Sequence, residues 1–270
     1  MRSVVVTGAS SGIGLASALR LARAGWRVYG GVRTAADADS LREHGIAPVE
    51  LDVTDAAQIG SAAAAVGPEL HGLVDNAGIA VAAPLELVPL EELRRQLEVN
   101  VVGQIAVLQA LLPALRRARG RVVLMGSIGG RSALPFLGPY AASKHALEAF
   151  ADSLRVELRP FGIAVAIIEP GSIATPIWRK GAERAQELST GFEPERAALY
   201  APAVARFREV ALSRGLGVDP DVVAKAVEHA LTASRPKARY LVGRDAHIRA
   251  WVERLPTRLR DRVLARALTG

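Results

Sequence analysis

Short runs of apolar, often β-branched residues alternate along the chain with longer segments in which apolar positions recur every three or four residues. The first pattern predicts strands and the second predicts helices. Strands are expected at residues 3–6, 27–32, 48–53, 73–75, 121–125, 163–168 and 238–242. Because strands and helices alternate, right-handed crossovers should build a parallel sheet with helices on both faces, an α/β fold.

The helical segments are expected at residues 15–24, 55–66, 90–115, 140–158 and 219–230. The segment at 90–115 should be broken near Asn100 and Gly103. Its part from 99 to 115 is uncharged but contains three amide side chains, so we expect a buried helix and no transmembrane segment. Residues 177–217 contain helical fragments interrupted by Gly and Pro, which makes them a candidate substrate lid.

The composition of the 270-residue chain, 50% hydrophobic and 23% charged, is typical of a globular protein with one large core. The chain has no cysteine, and its five histidines lack metal-ligand spacing, so neither a disulfide nor a metal site is expected. The N-terminal apolar run, Val4 to Val6, is too short for a signal peptide. We therefore expect a cytoplasmic protein.

The positive charge of the chain is concentrated in its tail. Of the net charge of +7, residues 244–270 hold +4, from seven arginines less three acidic residues, so no nucleic-acid partner is expected. Pro256 should divide this tail into two helices with one apolar stripe, formed by Ile248, Trp251, Val252, Leu255, Leu259, Val263 and Ala267. Packing of the stripe on the chain's own domain or on a partner subunit is favoured over peripheral membrane binding, because the helices are short and the acids dilute the charge.

A glycine-rich turn joins the first strand to the first helix, with the sequence Thr7-Gly8-Ala9-Ser10-Ser11-Gly12-Ile13-Gly14. Glycines let the backbone approach a pyrophosphate, and the N-terminus of the next helix offers N–H groups and a positive dipole end to the anion. The position of the turn directly after a strand strengthens the interpretation. We expect a dinucleotide phosphate site here.

The end of the second strand, where such folds contact the adenosine ribose, carries Arg33. A guanidinium pairs with a 2′-phosphate through its fork, so NADP(H) is the favoured cofactor and NAD(H) remains possible. The alternative is that Arg33 is a solvated loop residue. Asp52 and Asn76 lie at the ends of the next two strands, where they either face the ligand or form turns.

Tyr140 and Lys144 lie four residues apart on a predicted helix, which stacks them on one face. A free tyrosine loses its proton near pH ~10, so Lys144 would be the cation that favours the phenolate. Surface helices often carry such a pair, which therefore decides nothing alone. Asn100 inside a helix needs polar partners, and water there could form a proton path towards Lys144. Ser127 follows a strand, as a turn residue or as part of the site.

Together these motifs resemble the short-chain dehydrogenase/reductase family, in its single-domain oxidoreductase branch. The resemblance runs from about residue 3 to residue 176 and rests on Thr7-Gly8-x-x-x-Gly12-x-Gly14, Asn76-Ala77-Gly78, Asn100, Ser127, Tyr140-x-x-x-Lys144 and Pro170-Gly171. Residues 29–33 are similar to the NADP-linked steroid and retinoid members. The expected organisation is a Rossmann-like doubly wound sheet in one catalytic domain, residues 1–243 with the lid at about 177–217, and a basic helical extension of that domain, residues 244–270.

The resemblance implies a role for each motif. Tyr140 would be the general acid/base, Ser127 would hold the substrate oxygen, Lys144 would tune Tyr140 and bind the nicotinamide ribose, and Asn100 would support a proton relay. The other matched positions would bind the cofactor: Gly8, Ser10, Ser11, Gly12, Ile13 and Gly14 in the phosphate turn, Asp52 and Val53 at the adenine, Asn76, Ala77 and Gly78 along the cleft, Pro170 and Gly171 after the sixth strand, Ile173 at the carboxamide and Thr175 at the phosphates.

The implied activity is hydride transfer between NADP(H) and the carbonyl or alcohol group of a small, apolar substrate. Two alternatives stay open: an NAD(H)-preferring hydroxysteroid or polyol dehydrogenase, and a non-catalytic dinucleotide-sensing protein with the same fold. A homodimer or homotetramer is expected, because the helices at 99–115 and 146–158 carry more apolar surface than one sheet face needs. The chain extends past residue 242, which puts the tetramer of shorter family members in doubt.

Overall fold

A seven-stranded parallel sheet forms the centre of the molecule. Its strands are β1 Ser3–Val6, β2 Arg27–Val32, β3 Ala47–Glu50, β4 Gly72–Asp75, β5 Arg121–Met125, β6 Ala164–Pro170 and β7 Arg239–Val242. They lie in the order β3-β2-β1-β4-β5-β6-β7. The computed structural model describes residues 1–213 and 217–269, and the side chains of all of these except 210–213 and 267–269.

Helices cover both faces of the sheet, as the alternating pattern predicts. They are α1 Gly12–Arg23, α2 Ala35–Glu43, α3 Ala56–Val66, α4 Leu90–Leu97, α5 Gly103–Ala118, α6 Gly138–Glu157, α7 Pro176–Ser189, α8 Pro194–Ser213, α9 Pro220–Thr232, α10 Arg244–Val252 and α11 Thr257–Thr269. One apolar core lies between the sheet and α3, α5 and α6, and a second lies between the sheet and α1, α2 and α9. The doubly wound fold is thereby confirmed.

The order of the strands reverses between β1 and β4, which lie side by side at the centre of the sheet. In such sheets the ligand binds at the carboxyl ends of the strands beside the point of reversal. The glycine-rich turn follows β1 and Asn76 follows β4. The topology therefore brings together two motifs that are almost seventy residues apart in the chain.

Two details differ from the sequence prediction. Strand β3 ends at Glu50, so Asp52 and Val53 belong to the turn after it and not to the strand. Helix α2, Ala35–Glu43, was not predicted, because its nine residues carry little apolar periodicity; Thr34 caps it by accepting a hydrogen bond from the Asp37 N–H. In both places side-chain hydrogen bonds to the backbone set the local structure: Asp52 accepts from the Thr54 N–H after β3, and Thr34 begins α2.

The predicted break in the third helical segment, residues 90–115, is a π-helical turn, Glu98–Val102, between α4 and α5. By length and composition the whole run, Leu90–Ala118, could cross a membrane, and a core helix would pass the same test. Its inner face, with Val107, Leu108 and Leu111, is buried in the core beside α3. This packing matches the buried helix that the sequence predicts.

The tail forms the two predicted helices, α10 and α11, on either side of Pro256. Their apolar stripe is only partly covered: Val252 and Leu255 are half-buried, whereas Ile248, Trp251, Leu259 and Val263 are exposed. Ala267 lies outside the residues with described side chains, as do the lid residues 214–216. The chain's own domain therefore covers only part of the described stripe, and packing of the rest on a partner subunit stays a prediction.

Candidate active site

The glycine-rich turn leaves the N-terminus of α1 open towards the cleft. Gly8 and Gly12 have positive φ angles of 63° and 56°, which glycine adopts without strain. Gly14 packs so tightly that a Cβ there would overlap the carbonyl oxygen of Gly8. The first turn of α1 contains no acidic residue, and the side chain of its N-cap residue, Ser11, makes no capping hydrogen bond. This end of the helix can therefore accept an anion.

A second helix N-terminus meets the first one at Gly12. Thr175 is the N-cap of α7, its side chain makes no capping hydrogen bond, and the first turn of α7 also lacks acidic residues. A Cβ on Gly12 would lie 3.0 Å from Thr175 Cγ2. The N-termini of two helices thus meet at Gly12, an arrangement that suits a phosphate group.

Thr7 joins the glycine-rich turn to the end of β4 through one hydroxyl. Its Oγ1 donates to Asp75 Oδ1 at 3.1 Å and accepts from the N–H groups of Asn76 and Ala77, each at 2.8 Å. The Asn76 side chain in turn donates to the carbonyl oxygens of Thr7 and Gly8, at 3.0 and 3.4 Å. Asn76 is therefore a structural bridge at the cleft, and its amide holds the turn in place.

Arg33 extends past the end of β2 into solvent, with its side chain 66% exposed and Nη1 3.8 Å from Asp52 Oδ2. Asp52 forms a turn, because its Oδ1 accepts hydrogen bonds from the backbone and side chain of Thr54. Partial burial raises the pKa of Asp52, but the Thr54 hydrogen bonds and the Arg33 charge together bring its pKa below the ordinary value. Val53 is buried against Gly103, so only its backbone can face the cleft.

The serine and tyrosine come together around Gly129. A Cβ on Gly129 would lie 3.3 Å from both Ser127 Oγ and Tyr140 Cε1. Ser127 follows β5 and caps the short 3₁₀ turn Ile128–Gly130, accepting the Gly129 N–H at 3.0 Å, while Tyr140 begins the buried face of α6. Two hydroxyl-bearing side chains from different elements therefore face one point at the carboxyl edge of the sheet.

Lys144 lies one helical turn beyond Tyr140 and is buried, with Nζ 5.9 Å from the centre of the tyrosine ring. Its ammonium donates to the carbonyl oxygen of Met125 at 2.7 Å. Burial lowers the pKa of Lys144 to about 8, against the charges of Asp75 and Glu148, which raise it. The amine can therefore exchange a proton near neutral pH.

Asn100 lies in the π-helical turn, which aims its buried amide away from the helix. Its Nδ2 donates to the carbonyl oxygen of Ile79 at 3.0 Å and to Ser143 Oγ at 3.1 Å, and its Oδ1 accepts from the Ile79 N–H at 2.8 Å. Ser143 Oγ donates to the carbonyl oxygen of Tyr140 at 2.7 Å. Protein groups therefore hold this amide and connect it to the tyrosine helix, and the proton path through water stays a prediction.

Comparison with known proteins agrees with this geometry. The sequence profile of the short chain dehydrogenases matches residues 2–186. The chain belongs to the short-chain dehydrogenase family. A relative from Ornithobacterium rhinotracheale, an NADPH-dependent 3-dehydrocapnine reductase, is 36% identical over 99% of this chain and 98% of its own. Retinol dehydrogenase 5 of Mus musculus is 36% identical over 97% of this chain and 87% of its own.

The structural comparison agrees with the sequence comparison. The crystal structure of a short chain dehydrogenase from Burkholderia cenocepacia in complex with NADP superimposes with a TM-score of 0.76 and 27% identity, over all of both chains. The α/β fold and the oxidoreductase class expected from the sequence are thereby confirmed. The protein is a short-chain dehydrogenase/reductase that acts on alcohol or carbonyl groups.

In this dehydrogenase the segment predicted as a lid folds into α7 and α8, and side chains of both helices contact the residues around the carboxyl edge of the sheet. Trp178 of α7 meets the ring of Tyr140 edge-on at 5.5 Å between ring centres. Phe207 of α8 packs in the same way on Phe136, at 5.6 Å. Tertiary contact therefore decides that Trp178 of this segment borders Tyr140.

The segment after β6 that the motif Pro170-Gly171 begins is held from two sides. Ile173 pairs with Val218 in a short β-bridge, and Asp245 Oδ2 accepts the Ser172 N–H at 2.7 Å. A Cβ on Gly171 would overlap the Asp245 carboxylate. Helix α10 of the tail therefore shapes the turn that the family resemblance assigns to the cofactor.

Arg249, on the same face of α10 as Asp245, donates through Nη2 to the carbonyl oxygen of Ser132 at 2.5 Å. Burial raises the pKa of the Tyr140 phenol, while the Ser127 side chain and the positive charge of Arg249 act in the opposite direction. The sequence predicts Lys144 as the cation that favours the phenolate, and it assigns no role in the site to Arg249 of the basic tail. No local pattern distinguishes Arg249 from the other tail arginines.

Asp75 is the second site residue that the sequence analysis overlooked. Its side chain is fully buried at the end of β4, and its Oδ2 has no hydrogen-bond partner within the described residues. Burial raises the pKa of Asp75 to about 8, although the Thr7 hydroxyl and the Lys144 charge lower it. An acidic residue at the end of a strand is usually a solvent-exposed turn residue. Asp75 is buried instead, because β4 lies at the centre of the sheet.

Proposed function

We propose that this protein is an NADP(H)-dependent oxidoreductase that interconverts a carbonyl and an alcohol group on a small, apolar substrate, with Tyr140 as general acid/base. The observation that carries the proposal is the meeting of Ser127 Oγ and the Tyr140 ring around Gly129, directly above Lys144. A carbonyl that accepts hydride develops negative charge on its oxygen. Two hydroxyl donors at one point are suited to stabilise it.

In the reducing direction, the Ser127 hydroxyl donates a hydrogen bond to the substrate oxygen, and Tyr140 transfers its phenolic proton to that oxygen. The buried phenol has a raised pKa and therefore holds its proton at neutral pH, as an acid should. The transfer leaves a negative charge on the Tyr140 oxygen. Lys144, whose pKa is lowered to about 8, carries the positive charge that balances it. In the oxidising direction, Tyr140 accepts the proton, so oxidation should accelerate as the pH rises.

The residues of the cofactor cleft fit NADP(H). The paired N-termini of α1 and α7 suit the pyrophosphate, Asn76 and Gly78 border the cleft, and the exposed guanidinium of Arg33 suits a 2′-phosphate. When bound, the nicotinamide supplies or accepts the hydride. The NADPH-dependent relative and the NADP complex of the structural neighbour support this preference.

The substrate is proposed to be apolar because α7 presents Trp178 to Tyr140, and Phe207 of α8 adds an aromatic contact with Phe136. The test is to follow nicotinamide absorbance while the protein meets ketones, aldehydes and alcohols of graded chain length. Tyr140→Phe should reduce turnover by roughly 10² or more while cofactor affinity stays unchanged. Tyr29→Phe, which removes a phenol on β2 away from the cleft, is the matched control.

Near-normal turnover in Tyr140→Phe would overturn the assignment of the acid/base. NADPH binding without turnover of any carbonyl compound would favour the alternative of a non-catalytic dinucleotide-sensing protein. Preferential use of NADH over NADPH would favour the NAD(H)-preferring alternative. The cytoplasmic location and the homodimer or homotetramer remain predictions; the exposure of Val102, Phe150 and Val156 on the helices from 98 to 157 supports an oligomer.

A further inference from the structure

The outward faces of α10 and α11 carry large apolar side chains in solvent. Ile248 and Trp251 are 54% and 62% exposed, three residues apart on α10. Leu259 and Val263 are 45% and 46% exposed, four residues apart on α11. Residues at these spacings share one face of a helix. Each helix therefore presents an apolar stripe that this chain does not cover.

The charges of the tail are divided between its two faces. Asp245 and Arg249 point inward to Ser172 and Ser132, and Glu253, only 14% exposed, pairs with Arg260 at 2.6 Å. Two of the three acidic residues of the tail, Asp245 and Glu253, therefore make their contacts on its inner face. Asp261 is the acid that stays exposed, and it too lies beside Arg260.

Five arginines remain on the outside of the tail. Each is exposed, and none forms an ion pair within the part of the chain that the structure describes: Arg244, Arg254, Arg258, Arg262 and Arg266. On α11 three of them recur every four residues, at 258, 262 and 266, directly beside Leu259 and Val263. The sequence suggests that the acidic residues of the tail dilute its positive charge. On the outer face of the tail they do not, because these five arginines have no acidic partner within the described residues.

We propose that α10 and α11 form a peripheral docking surface for an anionic lipid bilayer. An interfacial helix combines an apolar stripe with flanking arginines, and Trp is favoured at that depth. A second copy of this chain is the less suitable occupant, because it would bring two sets of unpaired arginines together. The proposal does not depend on the reaction at Tyr140.

Docking in this way would place the bilayer next to the substrate cleft. The inner face of α10 reaches the two loops of the active site through Asp245 and Arg249, and α11 packs on lid helix α8. The same two helices thus border the cleft on one side and face the membrane on the other. An apolar substrate dissolved in the bilayer would then have a short path to Tyr140.

The test is co-sedimentation of the full-length protein with vesicles of phosphatidylcholine, with and without phosphatidylglycerol. We expect binding to the anionic vesicles at about 0.05 M salt and loss of binding at about 0.5 M, since salt screens exposed charges. Arg258→Gln/Arg262→Gln/Arg266→Gln should weaken that binding by about tenfold or more. Arg23→Gln/Arg42→Gln/Arg94→Gln, which removes three exposed arginines from other helices, should bind like the parent.

The contribution of the apolar stripe is measured separately. Ile248→Ser/Trp251→Ser should also release the protein from the anionic vesicles, and the fluorescence of Trp251 should shift to the blue on binding, a shift that Trp251→Phe abolishes. Failure of the parent protein to bind anionic vesicles at low salt would overturn the proposal. An equal loss of vesicle binding in the control triple variant would also overturn it. So would a change of oligomeric state in Ile248→Ser/Trp251→Ser if the parent protein does not bind vesicles.

Discussion

The cofactor side and the lid side of the cleft are held by different kinds of contact. On the cofactor side, buried hydrogen bonds connect Thr7, Asp75 and Asn76, and Gly14 packs directly on the backbone of Gly8. On the lid side, the exposed ion pair Glu86–Arg196 connects α8 to the loop before α4, and an ion pair between Arg184 and the buried Glu92 connects α7 to α4 itself.

This difference indicates which part of the site is rigid. Buried hydrogen bonds and close backbone contacts restrict movement of the backbone, because any displacement leaves a buried polar group unpaired or creates a steric overlap. Exposed ion pairs contribute only about 0–1 kcal/mol each and weaken in salt. The glycine-rich turn should therefore be preformed, and α8, which the exposed pair holds, should move away from the loop before α4 at little cost in free energy.

The largest effect of a substitution is expected at Gly14, where the cofactor side of the cleft has no space for a side chain. Gly14→Ala places a methyl group against the carbonyl oxygen of Gly8, so we expect a loss of roughly 2–4 kcal/mol in the free energy of unfolding together with loss of NADPH binding. Urea denaturation and cofactor titration measure the two effects. The control is Gly60→Ala in α3, which has open space and should stabilise by about 0.5–1 kcal/mol. Similar behaviour of the two variants would contradict a preformed turn.

The buried acid of the cofactor side should make stability depend on pH. The pKa of Asp75 is raised to about 8, whereas an unfolded aspartate titrates near ~3.9. The folded state therefore binds the extra proton between these values, and its stability falls as the pH rises through that window, by up to about 1.4 kcal/mol per pH unit.

Asp75→Asn should remove this fall, so the stability difference between variant and parent should shift in favour of the variant from pH 5 to pH 8. Urea denaturation at intervals across that range measures the difference. The comparison is independent of any constant cost from the unpaired asparagine amide. Parallel pH profiles for the two proteins would show that Asp75 does not hold the proton.

Cofactor choice tests the outer edge of the cofactor side. Arg33→Ala should weaken NADPH binding by about 1.5–3 kcal/mol and leave NADH binding unchanged, because the guanidinium is exposed and would pair only with the 2′-phosphate. Titration with both cofactors measures this split. Arg42→Ala, a surface arginine of α2 paired with Asp39, is the control. Equal weakening of both cofactors would make Arg33 a structural residue.

The smallest effect is expected on the lid side. Glu86→Ala removes the partners of Arg196 and Tyr200 together and should accelerate amide hydrogen exchange in α8 by about two- to fivefold, with little change in global stability. Glu209→Ala breaks a pair within α8, with Arg206, and should leave the lid in place. If α8 exchanges equally in both variants, the Glu86 contacts do not hold the lid.

Much of the architecture follows from local signals. Strands β1, β2 and β5 have the predicted bounds, because β-branched runs flanked by turn residues report backbone geometry directly. The glycine-rich turn and the break near Asn100 are likewise local, since each depends on what a few neighbouring residues can adopt. The alternation of elements then leaves few possible topologies.

The sequence by itself determined the sheet, the phosphate turn and the position of Ser127, Tyr140 and Lys144 on elements that meet at one edge. Only the tertiary structure decided that Asp245 and Arg249 reach that edge from the tail, that Trp178 faces Tyr140, and that Asp75 is buried. The physical reason is that helical and strand periodicity arises within a few residues. Burial, charge pairing and the exposure of a helix face depend instead on partners that lie far away in the chain, 73 positions for Asp245 and 117 positions for Arg249.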